Sequence, residues 1–291
     1  MNKYADYYAQ VLRCWPRSGH VCRDIGTALK LLVLWYVGFV ALIIMFQRYL
    51  IYFPEAALNK DPSDYGLHVV HYDTVDDLRL MSWYAPPQNG KPVIVMFHGN
   101  AGNISRRVPK AVPFTARGYG FLLAGYRGFG GNPGWPSENG LYTDARAALT
   151  WLKAEQGIKE NDIVLYGESI GSGVVSQMAL EYPDVRALVL EAPFSSVADV
   201  TGQAYFWLRP LTYLVLDRFD NAKKAPYFDM PVLIAHGSKD EIIPPYIAKK
   251  LYDAVGSETR RFVLIDGGGH SDLAARGYLG EMRAFIEETA D

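Results

Sequence analysis

Two cysteines, Cys14 and Cys22, are all that the 291 residues contain, and both lie near the N-terminus. That scarcity excludes a disulfide framework, a cysteine metal site and a thiol nucleophile from the rest of the chain. A body almost free of thiols suits an oxidising compartment. An excess of one charge is also lacking: 29 Lys and Arg against 31 Asp and Glu leave a formal net charge of -2. No Lys/Arg block with interleaved aromatics occurs, so no nucleic acid is expected as a partner. The histidines His68, His71 and His236 show no ligand spacing with one another or with carboxylates, so no metal is expected, and no cofactor. Internal repeats and low-complexity tracts are missing. Apolar residues make up 49% of the chain and charged residues 21%. This permits a large core under an ordinary surface, in one α/β domain of ordinary size with an appendage.

The appendage is a hydrophobic run. Leu31 to Phe46 is apolar or aromatic throughout, bounded by Lys30 and by Gln47-Arg48. As a helix it spans about 24 Å, short of the roughly 30 Å core of a bilayer. Ala28 and Leu29 extend it if Lys30 snorkels. Tyr49, Tyr52 and Phe53 suit one interface, Trp35 and Tyr36 the other. We expect a transmembrane helix over 28–48. A buried core helix is the alternative, since a surface helix would carry a polar face. A cleaved signal peptide fits poorly: the run is long and no Ala-x-Ala-like site follows it. Lys3, Arg13, Arg17, Arg23 and Lys30 precede the run, and only Arg48 and Lys60 follow closely. The positive-inside rule then places the N-terminus in the cytoplasm and the main domain outside, in the periplasm if the source is bacterial. The expected organisation is a cytoplasmic tail 1–27, an anchor 28–48, a linker 49–65 and a main domain 66–291.

Within the main domain, strands alternate with helices. Strands are expected at Leu67 to Tyr72, Leu78 to Tyr84, Pro92 to Phe97, Tyr119 to Ala124, Ile163 to Leu165, Val185 to Glu191, Pro231 to Ala235 and Arg261 to Ile265. Helices are expected within Ser105 to Arg117 (disturbed by Pro109 and Pro113), Ser137 to Glu155, Ile170 to Tyr182, Tyr246 to Val255 and Asp272 to Thr289. The order implies an α/β fold: a mostly parallel sheet covered by helices on both faces, beginning with an antiparallel pair.

One strand-to-helix junction carries chemistry. Gly167-Glu168-Ser169-Ile170-Gly171 follows an apolar strand and opens a helix. A Gly-x-Ser-x-Gly turn there lifts the serine hydroxyl out of the fold as a nucleophile, and its small residues avoid collisions between strand and helix. In hydrolases built this way an acid and then a histidine follow in chain order. Asp240 and His270 each follow a late strand, on the same sheet edge as Ser169. His270 would take the serine proton, and Asp240 would orient the imidazole. The bland alternatives are a surface-loop histidine and a helix-capping aspartate before Ile242. Glu191 is the runner-up acid, and Asp266 lies too close to His270 in sequence. The triglycine before His270 suggests a mobile loop. An oxyanion hole needs two backbone N–H groups. Ile170 should supply one, and Asn100, in His98-Gly99-Asn100-Ala101-Gly102-Asn103, the other, with Ala101 as the near alternative. His98 is expected to be a structural hydrogen-bonder.

These motifs, together with Tyr126-Arg127-Gly128-Phe129-Gly130 and Gly237-Ser238-Lys239-Asp240 with Ile243-Pro244-Pro245, resemble the BEM46-like branch of the α/β-hydrolases, which includes the α/β-hydrolase domain-containing proteins 13 and 17. The resemblance runs from about residue 66 to the C-terminus. It implies an α/β-hydrolase fold, Ser169, Asp240 and His270 as a triad, and hydrolysis of esters or thioesters, with protein depalmitoylation known in one branch. The insertion 194–230 falls where such folds carry a cap. Tyr205, Phe206, Trp207, Leu211 and Leu214 within it are candidate substrate contacts, lining an acyl pocket or dipping into a membrane; a helical cap merely packed on the core is the alternative. The expected substrate is a small or lipid-like acyl compound, or an acylated protein, met beside the membrane that holds the anchor. The rivals are a prolyl-oligopeptidase-type peptidase, for whose propeller the chain has no room, and a catalytically silent hydrolase-fold scaffold.

Overall fold

The computed structural model describes residues 18–289; Cys14, Lys3, Arg13 and Arg17 lie outside the described residues, as does most of the expected tail. The chain divides into two compact units, Met1–Gln47 and Arg48–Asp291. Helix α1, Ser18–Ile51, runs beyond the expected anchor at both ends. A helix needs no apolar residues to continue, so the hydrophobic run marked its centre and not its limits. Its end follows from Phe53-Pro54, because a residue before proline is pushed out of the helical region. The stretch Arg23–Ile51, 29 residues, is long and apolar enough to cross a bilayer.

Phe53–Pro54 forms β1, and the main sheet opens with β2, His68–Asp73, and β3, Arg79–Ala85. There follow β4, Val93–Phe97; β5, Ala101–Gly102; α2, Val108–Thr115; β6, Gly120–Ala124; and α3, Glu138–Ala154. Next come β7, Ile163–Glu168; α4, Ile170–Glu181; β8, Ala187–Glu191; α5, Val197–Ala204; and α6, Asn221–Lys224. The chain closes with β9, Val232–Gly237; α7, Pro245–Ala254; β10, Arg260–Ile265; and α8, Tyr278–Glu288. Eight strands form one sheet in the order β10-β9-β8-β7-β4-β6-β3-β2. The β2–β3 and β3–β6 pairs are antiparallel and the remainder parallel; the first antiparallel pair and the mostly parallel sheet follow the strand pattern, and the β3–β6 pair adds a second antiparallel one.

Strands β4, β6, β7, β8 and β9 are buried along their whole length, the mark of central parallel strands covered on both faces. Alternate residues of β4 feed opposite cores. Val93, Val95 and Phe97 pack with α3 and α4 residues such as Leu149 and Met178, while Ile94 and Met96 pack with Ala111 of α2 and Phe285 of α8.

The expected linker is only partly a tether. β1 pairs in parallel with β5, matching Phe53 to Ala101 and Pro54 to Gly102, and Pro62–Tyr65 is a 3-10 turn. Backbone groups of this strap satisfy loop groups that would otherwise need water. The cap consists of α5, a 3-10 segment Phe206–Leu214 that contains Pro210, and α6.

Candidate active site

Ser169 sits between β7 and α4 with φ 51° and ψ -115°, a left-handed backbone that a serine rarely adopts. Strain of this kind costs about 1–3 kcal/mol and persists only where the surroundings hold it. Here the Ser169 N–H donates to the Glu191 carbonyl at 2.8 Å, and the Ser172 hydroxyl donates to the Ser169 carbonyl at 2.5 Å. The turn also requires a bare backbone at Gly171, where a Cβ would stand 2.0 Å from the Phe97 carbonyl oxygen of β4. Gly171→Ala should therefore cost about 3 kcal/mol through overpacking. A melting temperature equal to that of the parent would contradict this.

His270 and Asp240 come to Ser169 from the neighbouring strand ends. His270 Nε2 lies 3.0 Å from Ser169 Oγ, and Nδ1 lies 2.8 Å from Asp240 Oδ2. A carboxylate can only accept, so Nδ1 carries the hydrogen and Nε2 is left to accept from the serine hydroxyl. The glycines before His270 do not form the free loop that their composition suggests. A Cβ at Gly237 would stand 2.3 Å from the Gly268 carbonyl oxygen, so the two loops lie backbone on backbone. Lys239 N–H donates to Gly268 O and Gly269 N–H to Asp272 Oδ1, fastening the His270 loop.

Asp240 is held on both oxygens. Oδ1 accepts the N–H groups of Ile242 and Ile243, each at 2.9 Å. Oδ2 faces His270 and also His236 Nε2, 3.2 Å away. His236 Nε2 stands between that oxygen and the Ile243 carbonyl at 2.7 Å; both are acceptors, so this nitrogen bears the hydrogen. Burial raises the Asp240 pKa, but the hydrogen bonds from His236 and His270 outweigh it and keep the carboxyl well below its usual range. Asp240 does not cap a helix, since α7 begins only at Pro245. Asp266 meets Ser238 instead of His270, and Glu191 is taken up elsewhere.

Beneath the elbow lies a charge cluster that the sequence reading missed. Lys110 Nζ, buried on α2, reaches Glu168 at 2.9 Å and Glu191 at 2.5 Å. Arg107 donates to Glu168 at 2.8 Å, and the Tyr166 hydroxyl donates to Glu191. Burial alone would lower the Lys110 pKa, but Glu191 and Glu168 hold it above its usual value. The same burial raises Glu168, and Lys110 and Arg107 together overturn it and keep that carboxyl ionised.

The loop after β4 passes over the nucleophile: a Cβ at Gly99 would lie 3.4 Å from Ser169 Cβ. Among the described residues, the Asn100 N–H donates no backbone hydrogen bond, and Ile170, as the first residue of α4, has an N–H that the helix itself leaves without an acceptor. His98 is buried against Tyr126 and Phe129, and its Nδ1 meets the Gly99 carbonyl at 2.8 Å. Burial, reinforced by Arg107, pushes its pKa down to about 3, so the ring is neutral.

None of the five cap candidates is buried. Tyr205, Phe206 and Trp207 are exposed, by 53%, 78% and 43%, and Leu211 and Leu214 are half-buried. A cavity of about 280 Å³ between α5 and α7 is lined by polar groups, among them Asp199, Gln203, Arg209 and Lys250, and by none of the five.

Comparison with known proteins follows the same lines. A family model described as serine aminopeptidase, S33, matches residues 88–223 and 215–274. An uncharacterised protein of Mycobacterium tuberculosis is 40% identical over 252 residues, covering 84% of this chain and 88% of its own. Protein bem46 of Schizosaccharomyces pombe is 29% identical over 266 residues, covering 84% of this chain and 86% of its own. The solved structure of a Pyrococcus furiosus esterase superposes with a TM-score of 0.68 at 17% identity, over 82% of this chain and 97% of that one. This last is a likeness of fold.

Proposed function

The chain belongs to the serine aminopeptidase S33 family, within the α/β-hydrolase superfamily, and is a serine hydrolase; from that premise we propose that it is membrane-anchored and cleaves carboxylic esters or thioesters of lipid-like acyl groups. The observation that carries this reading is the hydrogen-bonded series from Ser169 through His270 to Asp240 on a strained elbow. Ser169 Oγ attacks the acyl carbonyl carbon while His270 Nε2 takes its proton. The tetrahedral oxyanion is received by the N–H groups of Asn100 and Ile170. The bond to the leaving oxygen or sulfur then breaks, and His270 returns the proton to that atom. Water repeats the sequence on the acyl-enzyme, releasing the acid and restoring Ser169.

Ester or thioester chemistry is favoured over the aminopeptidase activity of the family's name. Removal of an N-terminal residue calls for a free carboxylate to hold the substrate ammonium group. Of the acids beside the elbow, Glu168 is spent on Lys110 and Arg107, and Glu191 on Lys110 and the Tyr166 hydroxyl. The outward-facing cap aromatics suit an acyl chain met at a bilayer surface, and α1 supplies the anchor. The cation bias ahead of the hydrophobic run supports a cytoplasmic N-terminus. Placement in the BEM46-like branch rests on the shared motifs and on the likeness to Protein bem46.

A membrane-impermeant fluorophosphonate applied to intact cells tests activity and topology together. Labelling that disappears in Ser169→Ala is expected. Labelling only after lysis would refute the orientation, and none at all would favour a silent scaffold. Faster turnover of long-chain p-nitrophenyl esters than of aminoacyl anilides is expected; the reverse order would favour the peptidase.

A further inference from the structure

Residues 51–57 run along the loop that carries Asn100. The Asn100 side-chain amide donates to the Ile51 carbonyl at 2.7 Å, at the last residue of α1. The Phe53 N–H donates to the Asn100 carbonyl at 2.8 Å, and the Glu55 N–H to the Gly102 carbonyl at 3.1 Å. Asn103 Nδ2 returns to the carbonyls of Glu55 and Ala57, at 3.2 and 2.8 Å. The Glu55 carboxylate meets Arg106 at 2.8 Å. Residue 100 is thus gripped by its side chain and by its own carbonyl, which together set its backbone torsions and leave its N–H unspent.

The last turn of α1 is in turn tied to the cap. Arg48 donates to both oxygens of Asp217, at 3.0 and 3.2 Å, and the Tyr52 hydroxyl donates to the same carboxylate at 3.1 Å. Asp217 is 2% exposed. A continuous series therefore runs from Asp217 through Arg48 and Tyr52 to Ile51 and so to Asn100.

We propose that the final turn of α1 and the strap 51–57 are the positioning element of the oxyanion loop, so that turnover depends on residues ahead of the hydrolase sheet. This rests on the serine-hydrolase chemistry of the preceding subsection. Asn100 acts twice: its N–H receives the oxyanion, and its side chain holds that N–H in place by grasping the end of the helix. An oxyanion exists only after attack, so a misplaced donor lowers kcat and leaves ground-state binding alone.

The test uses the full chain in lipid nanodiscs with a p-nitrophenyl ester. Asn100→Ala keeps the backbone N–H and deletes only the grip on Ile51. It should lower kcat by about tenfold to a hundredfold, with KM within about twofold and the melting temperature unchanged. Asn100→Asp, which sets an acceptor against the Ile51 carbonyl, should lose at least as much. Arg48→Met, remote from the loop, should lower kcat in the same direction by a smaller factor with KM again unchanged. Wild-type kcat in Asn100→Ala or Asn100→Asp overturns the proposal alone, as does a loss that merely tracks unfolding. An inactive, unlabelled wild-type protein brings down the hydrolase reading and this inference with it.

Discussion

His270→Ala is expected to lower kcat by about 10⁵–10⁶-fold and leave the protein as stable as its parent. His270 is half-buried, and its ring nitrogens bond only to Ser169 and Asp240, so little packing is lost with it. Without Nε2 the serine hydroxyl has no acceptor for its proton at the moment of attack. Asp240→Ala should behave differently. Its loss of kcat should be about 10⁴-fold, because the imidazole remains and only its orientation and charge stabilisation go. Its melting temperature should fall, because Ile242 and Ile243 lose their acceptor and His236 loses one of two. Parallel rate assays and thermal melts separate the two roles. A His270→Ala protein with undiminished turnover would remove the mechanism.

Lys110→Met is expected to destabilise the hydrolase unit by about 3–5 kcal/mol. The methionine fills the volume, but two carboxylates then lie buried with only Arg107, on one of them, for charge compensation. The Glu191 carboxylate is fully buried and can neither rotate to water nor find another cation among the residues that touch it. At about 2–4 °C per kcal/mol for a domain of this size, the melting temperature should drop by about 10 °C. Glu168 and Glu191 both adjoin the backbone that strains Ser169, so fluorophosphonate labelling at moderate temperature should decline ahead of global unfolding. An unchanged melt would mean that the cluster is electrostatically idle.

The sheet and its elbow were legible because they are written in short-range terms: unbroken apolar runs for β4, β7, β8 and β9, and a glycine wherever a backbone would be struck. Asp240 and His270 were legible because each follows a strand, and strand ends share an edge. The strap, Lys110 and His236 were not. Phe53-Pro54 has no strand-length pattern, and its pairing with Ala101-Gly102 exists only once the loop after β4 is folded. Lys110 sits among α2 residues that give no sign of a buried cation, because its partners lie 58 and 81 residues away. His236 lacked metal-ligand spacing, and its work is to steady a carboxylate. The triglycine suggested freedom, whereas the fold uses the missing side chains to bring two loops into contact.

The strap also sets a timetable for the nascent chain. Its bonds to the loop after β4 join residues only 46 to 51 positions apart, so these contacts can form when little more than a third of the polypeptide has been made. The bond from Ser169 to His270 spans 101 positions and waits for the last strand. Since chains fold from the N-terminal side as they are synthesised, the strap can close on this loop long before His270 reaches Ser169. A ribosome that stalls short of residue 270 leaves behind a fragment with the strap in place and no imidazole beside Ser169.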